Sequence, residues 1–130
     1  MTSTSIREAA TKIRSGETTS RQIVEHALRA SDELDPALGT YITRFDESAL
    51  KAADEADREL QVGKDRGPLH GIPLGIKDII STDEGPTTAQ SLAQDPAWGD
   101  QGDGPLMKRL REAGAVFTGC LLYTSDAADE

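Results

Sequence analysis

Residues 67–80 read Gly-Pro-Leu-His-Gly-Ile-Pro-Leu-Gly-Ile-Lys-Asp-Ile-Ile, and this stretch restricts the fold more than any other part of the chain. Proline has no amide hydrogen to donate and glycine gives up the most conformational entropy on ordering, so the run does not read as a helix. It reads as short apolar residues between turn formers, the pattern of a buried strand entered and left through tight turns. Ala115-Val116-Phe117-Thr118 has the same reading. Both runs are continuous instead of alternating, which predicts two parallel strands, at 72–76 and 115–118, buried on both faces of one sheet.

Around these strands the apolar spacing is helical. Ser5-Ile6-Arg7-Glu8 has capping-box spacing, and Ile6, Ala9, Ala10 and Ile13 follow at helical intervals until Gly16. Thr19-Ser20-Arg21-Gln22 repeats the start signal for a second helix with the stripe Ile23, Ala27, Ala30 and Leu34, widened by Val24 and Leu28. Asp35-Pro36 is expected to stop it, since proline disfavours helical geometry in the residue before it. Tyr41-Ile42-Thr43 predicts a short strand. Residues 47–62 predict a third helix with the stripe Ala49, Ala53, Ala56 and Leu60, and with Glu47/Lys51 and Asp54/Arg58 as pairs four apart, closed by Gly63. Pro105 opens a fourth helix over 105–113 with Leu106, Leu110 and Ala113 on one side. Residues 81–104 lack periodicity and predict a long loop, a feature often tied to function. The fold class is α/β, with no internal repeat and no interdomain linker.

The charge balance narrows the partners. The chain has 130 residues, 14 Lys and Arg against 23 Asp and Glu, and a net charge of -9, which fits one small domain or a piece of a larger one. Tracking a polyanion needs clustered basic residues, so nucleic acid is not expected as a direct partner. No window is long and apolar enough for a membrane span and Met1–Arg7 has no leader pattern, so no membrane partner is expected and a cytoplasmic location is. Cys120 is the one cysteine, which excludes an internal disulfide.

Site motifs sort themselves by spacing. Gly71, Gly75 and Lys77 do not form a phosphate loop, because Ile76 intervenes and Asp78 stands where a hydroxyl is required. His26 and His70 lack zinc-ligand spacing, and Asp95, Asp100 and Asp103 lack the calcium-loop register, so neither metal nor cofactor is expected. His26 is assigned to a solvated helix face and the three acids to a solvated loop. Lys77 follows Ile72-Pro73-Leu74-Gly75-Ile76 and precedes Asp78-Ile79-Ile80. It is either an ordinary exposed lysine or an amine emerging at the end of an apolar strand, where desolvation favours a base, and Gly75 would let a backbone or substrate approach.

The segment from Gly67 to Asp78 strongly resembles the amidase signature family, with Gly-Ile-Pro-Leu-Gly-Ile-Lys-Asp as its specific core. The Thr-Ser-Arg-Gln-Ile-Val helix start, the Tyr41-Ile42-Thr43 strand, the Ala-rich helix with Asp57, Pro86-Thr87-Thr88 with Ser91, and Leu110–Val116 follow in the same order, so the resemblance spans residues 1–119 as the N-terminal part of such a domain. It implies helices packed on a mixed β-sheet left incomplete here, with an unpaired edge. It also implies an amidohydrolase acting on small-molecule carboxylic amides through a Ser, cis-Ser and Lys triad and an acyl-serine intermediate. Lys77 matches the catalytic lysine, while both serines belong to motifs further along, and neither Ser81 nor Ser91 matches them. The family also contains the amidotransferase A subunit, which releases ammonia from glutamine for tRNA-bound substrates with partner subunits. A homodimer or an assembly with such subunits is thus implied for the parent protein. A non-catalytic acidic interaction module, with Lys77 pairing only with Asp78, is the reading from outside the family. Asp78 matches a family position and is assigned a supporting role in local hydrogen bonding.

Residues 120–130, Cys-Leu-Leu-Tyr-Thr-Ser-Asp-Ala-Ala-Asp-Glu, break the preceding pattern. They resemble, residue by residue, the translation of a transposase-type sequencing adapter, where the family continues Phe117-Thr118-Gly119 with a Lys-Thr-Asn-like segment. This tail is expected to hang free or prolong the last strand, without buried side-chain contacts of its own.

Overall fold

The computed structural model describes residues 4–93, 95, 97 and 101–122. Its elements run α1 (Ile6–Ser15), α2 (Ser20–Leu38), β1 (Tyr41–Arg44), α3 (Asp46–Gln61), β2 (Pro73–Lys77), α4 (Pro105–Glu112) and β3 (Val116–Leu121). The strands form a mixed three-stranded sheet in the order β1-β3-β2. As the apolar runs predicted, β2 and β3 are parallel, with Gly75 opposite Gly119 and Lys77 opposite Leu121, while β1 runs antiparallel to β3. Among the three strands only the central one is buried nearly throughout, from Val116 to Cys120. Gly75 is exposed and Ile76 is the one buried residue of β2, because β2 is an edge of this sheet.

Local sequence accounts for most of the helix ends. Ser5 and Glu8 close a reciprocal capping box on α1, and Thr19 and Gln22 do the same on α2. Asp57 of α3 adds a cap from a distance, its carboxylate accepting the amides of Ser20 (2.7 Å) and Arg21 (3.0 Å). Contrary to expectation, α2 runs through Pro36 and ends at Gly39 in left-handed geometry. In the last turn a proline removes only one amide bond. The chain there is held by Asp35, whose carbonyl accepts the amide of Gly39 (2.7 Å) and whose carboxylate accepts that of Tyr41 (3.1 Å).

Packing turns α2 by about one residue from the expected stripe. Ser20, Val24 and Leu28 are its buried positions, whereas Leu34 is 50% exposed. Ala49, Ala53 and Ala56 of α3 are buried as expected, and the small side chains of Ala49 and Ala53 pack with Val24, Leu28 and Val116. The next buried position is Glu59 and not Leu60. The anticipated Asp54/Arg58 pair is also replaced: Asp54 meets Arg21 of α2 at 2.7 Å, and Arg58 pairs with Glu55. On the other face of β3, Phe117 packs with Phe45, Ile76, Met107 and Cys120.

Cys120 and Leu121 prolong β3, as expected of the tail, but Cys120 is fully buried in this core. That corrects the expectation of no buried side-chain contacts. The register shifts between Leu74 and Gly75, so Phe117 and Cys120 share one face, and a small apolar thiol fits the inward position. Leu122 is 36% exposed, and residues 123–130 lie outside the described residues.

Candidate active site

Lys77 is the last residue of β2, at the carboxyl end of the strand, where open α/β sheets present their functional groups. It lines a crevice with Asp78, Ile79, Ala89, Gln90 and Ile42. The crevice encloses about 10 Å³, about the least that admits a water molecule, and Leu121 and Leu122 complete its lining. Gly75, two residues before Lys77, is exposed but meets Leu121 along its Cβ direction: a Cβ there would lie 2.7 Å from Leu121 Cδ1. The close approach foreseen at this glycine is therefore made by a side chain from β3.

Asp78 is 3% exposed, and each of its polar groups is engaged. Its carboxylate accepts the Thr88 amide at 3.0 Å and the Thr88 hydroxyl, its carbonyl accepts the Ala89 amide at 2.9 Å, and its own amide donates to Leu121 O at 3.1 Å. This is the local hydrogen-bonding role that the sequence suggested. Ala89 and Gln90 have positive φ, 47° and 54°, uncommon for residues with a side chain.

The acidic loop is less solvated than expected. Asp95 is exposed, and its carboxylate accepts the Ala97 amide at 2.9 Å. Asp103 instead receives Arg111 of α4 and the Asp83 amide (2.9 Å), and the Arg111 guanidinium holds its carboxyl below the usual range. Arg111 also lies 4.9 Å from the Phe117 ring centroid, which ties the loop to the core. Asp100 lies outside the described residues. The Ser81 hydroxyl donates to the Gly102 carbonyl, and Ser91 is exposed.

His26 sits on the exposed face of α2, as assigned, whereas His70 is 1% exposed at the head of β2. Its Nδ1 accepts the Arg66 amide at 3.2 Å, and its Nε2 lies 3.0 Å from Glu59 Oε2 without hydrogen-bond alignment. Burial lowers its pKa, against the pull of Glu59. Hydrogen bonds from Arg66 and then Lys64 hold the Glu59 carboxyl at about 2. Sequence reasoning missed this cluster because Glu59 occupies a helix position that reads as a solvated face. The available signal was the apolar setting of His70 between Leu69 and Gly71.

A family profile described as Amidase matches residues 22–122. AmiD of Mycobacterium tuberculosis, an amidase by name, is 40% identical over 123 residues, covering 92% of this chain and 25% of its own length. The A subunit of the glutamyl-tRNA(Gln) amidotransferase from Halorhodospira halophila is 39% identical over 114 residues, covering 88% of this chain and 23% of its own. The solved structure of native peptide amidase from Stenotrophomonas maltophilia superposes with a TM-score of 0.84 at 37% identity, over 92% of this chain and 25% of that one. The chain thus spans about a quarter of the length of the relatives it matches. The profile covers the strand that ends in Lys77, the loop clipped to Asp78 and the central strand β3, and on that match the chain belongs to the amidase signature family.

Proposed function

We propose that Lys77 is the base of a Ser, cis-Ser and Lys triad in a parent enzyme that hydrolyses small carboxylic amides. The amine of Lys77 accepts a proton from the cis-serine, which takes the proton of the nucleophilic serine as its oxygen attacks the amide carbonyl. Cleavage of the C–N bond returns that proton to the departing amine and leaves an acyl-serine, which water then hydrolyses. Both serines belong to the length of the family that this chain does not span. The observation that carries the reading is the folding of the motif itself: Lys77 ends β2 beside a crevice, braced by the buried Asp78. In the full-length protein, Lys77→Ala should abolish ammonia release from carboxylic amides while leaving the thermal midpoint nearly unchanged, because no large cavity opens. Turnover surviving in that variant would rule out the base assignment.

A second reading within the family is an amidotransferase A subunit, supported by the 39% identity to the Halorhodospira protein. It requires glutamine-dependent ammonia release that rises when partner subunits are added. Turnover of simple amides by the isolated parent, as a monomer or homodimer, supports the first reading. Either enzyme is read as cytoplasmic, and no helix among the described residues is long and apolar enough to cross a membrane. Residues 120–130 are read as adapter-encoded on their residue-by-residue match. Sequencing the gene through codon 119 from unfragmented DNA tests this, and recovery of the same eleven residues would overturn it.

A further inference from the structure

The lysine chemistry gives Asp78 no part, yet the residue is only 3% exposed in the wall of the crevice that Lys77 lines. A buried carboxylate is tolerated only where donors satisfy it. Among the described residues, the amide of Thr88, ten residues on, donates to the Asp78 carboxylate at 3.0 Å, and the Thr88 hydroxyl donates to it too. The main chain makes the same connection, through the Ala89 amide on the Asp78 carbonyl at 2.9 Å. Thr88 in turn shapes the turn after it, its hydroxyl oxygen accepting the Gln90 amide (3.1 Å) and its carbonyl the Ser91 amide (3.0 Å). Ala89 and Gln90 are thereby held at positive φ, a conformation that persists only where the surroundings impose it. Those two residues line the crevice with Lys77.

We propose that Asp78 is the positioning residue of the site, clipping residues 87–91 through Thr88 so that Ala89 and Gln90 form a fixed wall against which the acyl part of a carboxylic amide rests. The inference deepens the reading of Lys77 as an amide-cleaving base and rests on it. Asp78 itself touches no reacting atom. Its loss therefore loosens the wall and weakens substrate binding, whereas loss of Lys77 removes the chemical step. The hydrogen bonds that carry the argument lie within residues 78–91, before the tail, while Leu121 and Leu122 of the tail also line the crevice.

The test combines two readouts on the full-length enzyme. In Asp78→Ala, amide hydrogen exchange across residues 86–91 should quicken about tenfold or more, as loss of hydrogen bonds to a charged group implies. Exchange across β3 should stay as it is. KM for the amide should rise about tenfold with a smaller change in kcat. Thr88→Val keeps the carboxylate and removes one donor, so it should move both readouts the same way by less, and Thr88→Ser should restore slow exchange. If Asp78→Ala does not fold, Thr88→Val decides. Unchanged exchange in residues 86–91 overturns the clip, and faster exchange with an unchanged KM overturns its role in binding. Retained turnover in Lys77→Ala, with the Asp78 effects intact, removes the lysine reading and leaves the clip standing.

Discussion

Gly114 and His70 occupy adjoining space so closely that a Cβ on Gly114 would lie 2.4 Å from His70 Cδ2, at a φ of 77°. Gly114→Ala should therefore cost about 2–4 kcal/mol, from overpacking and left-handed strain together, measured by chemical denaturation. Gln90 gives the opposite case. Its φ of 54° carries the same strain without glycine's relief, so Gln90→Gly should stabilise the chain by about 1 kcal/mol in the same assay. In the full-length enzyme Lys77→Arg should be as inactive as Lys77→Ala, because a guanidinium stays protonated and cannot accept a proton; near-native turnover would refute a base at this position. At this scale the sequence was readable where the chemistry is local. The strand that ends in Lys77 could be read from neighbours and the hydrogen-bonding role of Asp78 from the family resemblance, whereas the settings of Glu59 and Asp103 could not be read. Their burial depends on Arg66 and Arg111, which reach them from other segments.

Helix ends divide along the same line. Both capping boxes were readable in the sequence, since their partners are three residues apart. The Asp57 cap on α2 was hidden, because α3 must first fold back across more than thirty residues to deliver it. Asp57→Ala should cost about 1–2 kcal/mol and raise amide exchange chiefly at Ser20 and Arg21, and loss confined to α3 would contradict the cap. Pro36 misled for a related reason. Local geometry predicts a stop there, but the carbonyl and carboxylate of Asp35 supply the bonds that carry α2 to Gly39. The parallel pairing of β2 and β3 was readable from two continuous apolar runs. The exposure of β2 was not, since an edge position belongs to the sheet and not to the strand.

Across the whole molecule, acid should act in two stages. Burial holds the folded-state pKa of His70 below its ordinary value, so the native chain binds fewer protons and stability falls as pH drops below about 6.5. Glu59 and Asp65 are held at about 2, chiefly by Arg66 and by Arg14, so the stability they add above the ordinary carboxylate range is lost as pH falls towards 2. Denaturation midpoints followed from pH 8 to 2 should show both stages, and His70→Asn should flatten only the first. The 130-residue polypeptide itself should transfer no acyl group to hydroxylamine, because on the proposed reading both serines that Lys77 serves belong to the length of the family that this chain does not span. Transfer that disappears with Lys77→Ala would contradict this.

The enclosure of Cys120 makes the molecule its own stopwatch. It is the only cysteine, fully buried in the central strand, and burial pushes its thiol up to about 11. Only a thiolate attacks an alkylating reagent, and at pH 8 an unfolded cysteine supplies a substantial fraction of it while the folded one supplies almost none. The rate at which iodoacetamide consumes the thiol therefore counts the moments when β3 opens, with no dye or engineered label. Gly114→Ala and Asp57→Ala should speed that rate in proportion to the stability they remove, and Gln90→Gly should slow it.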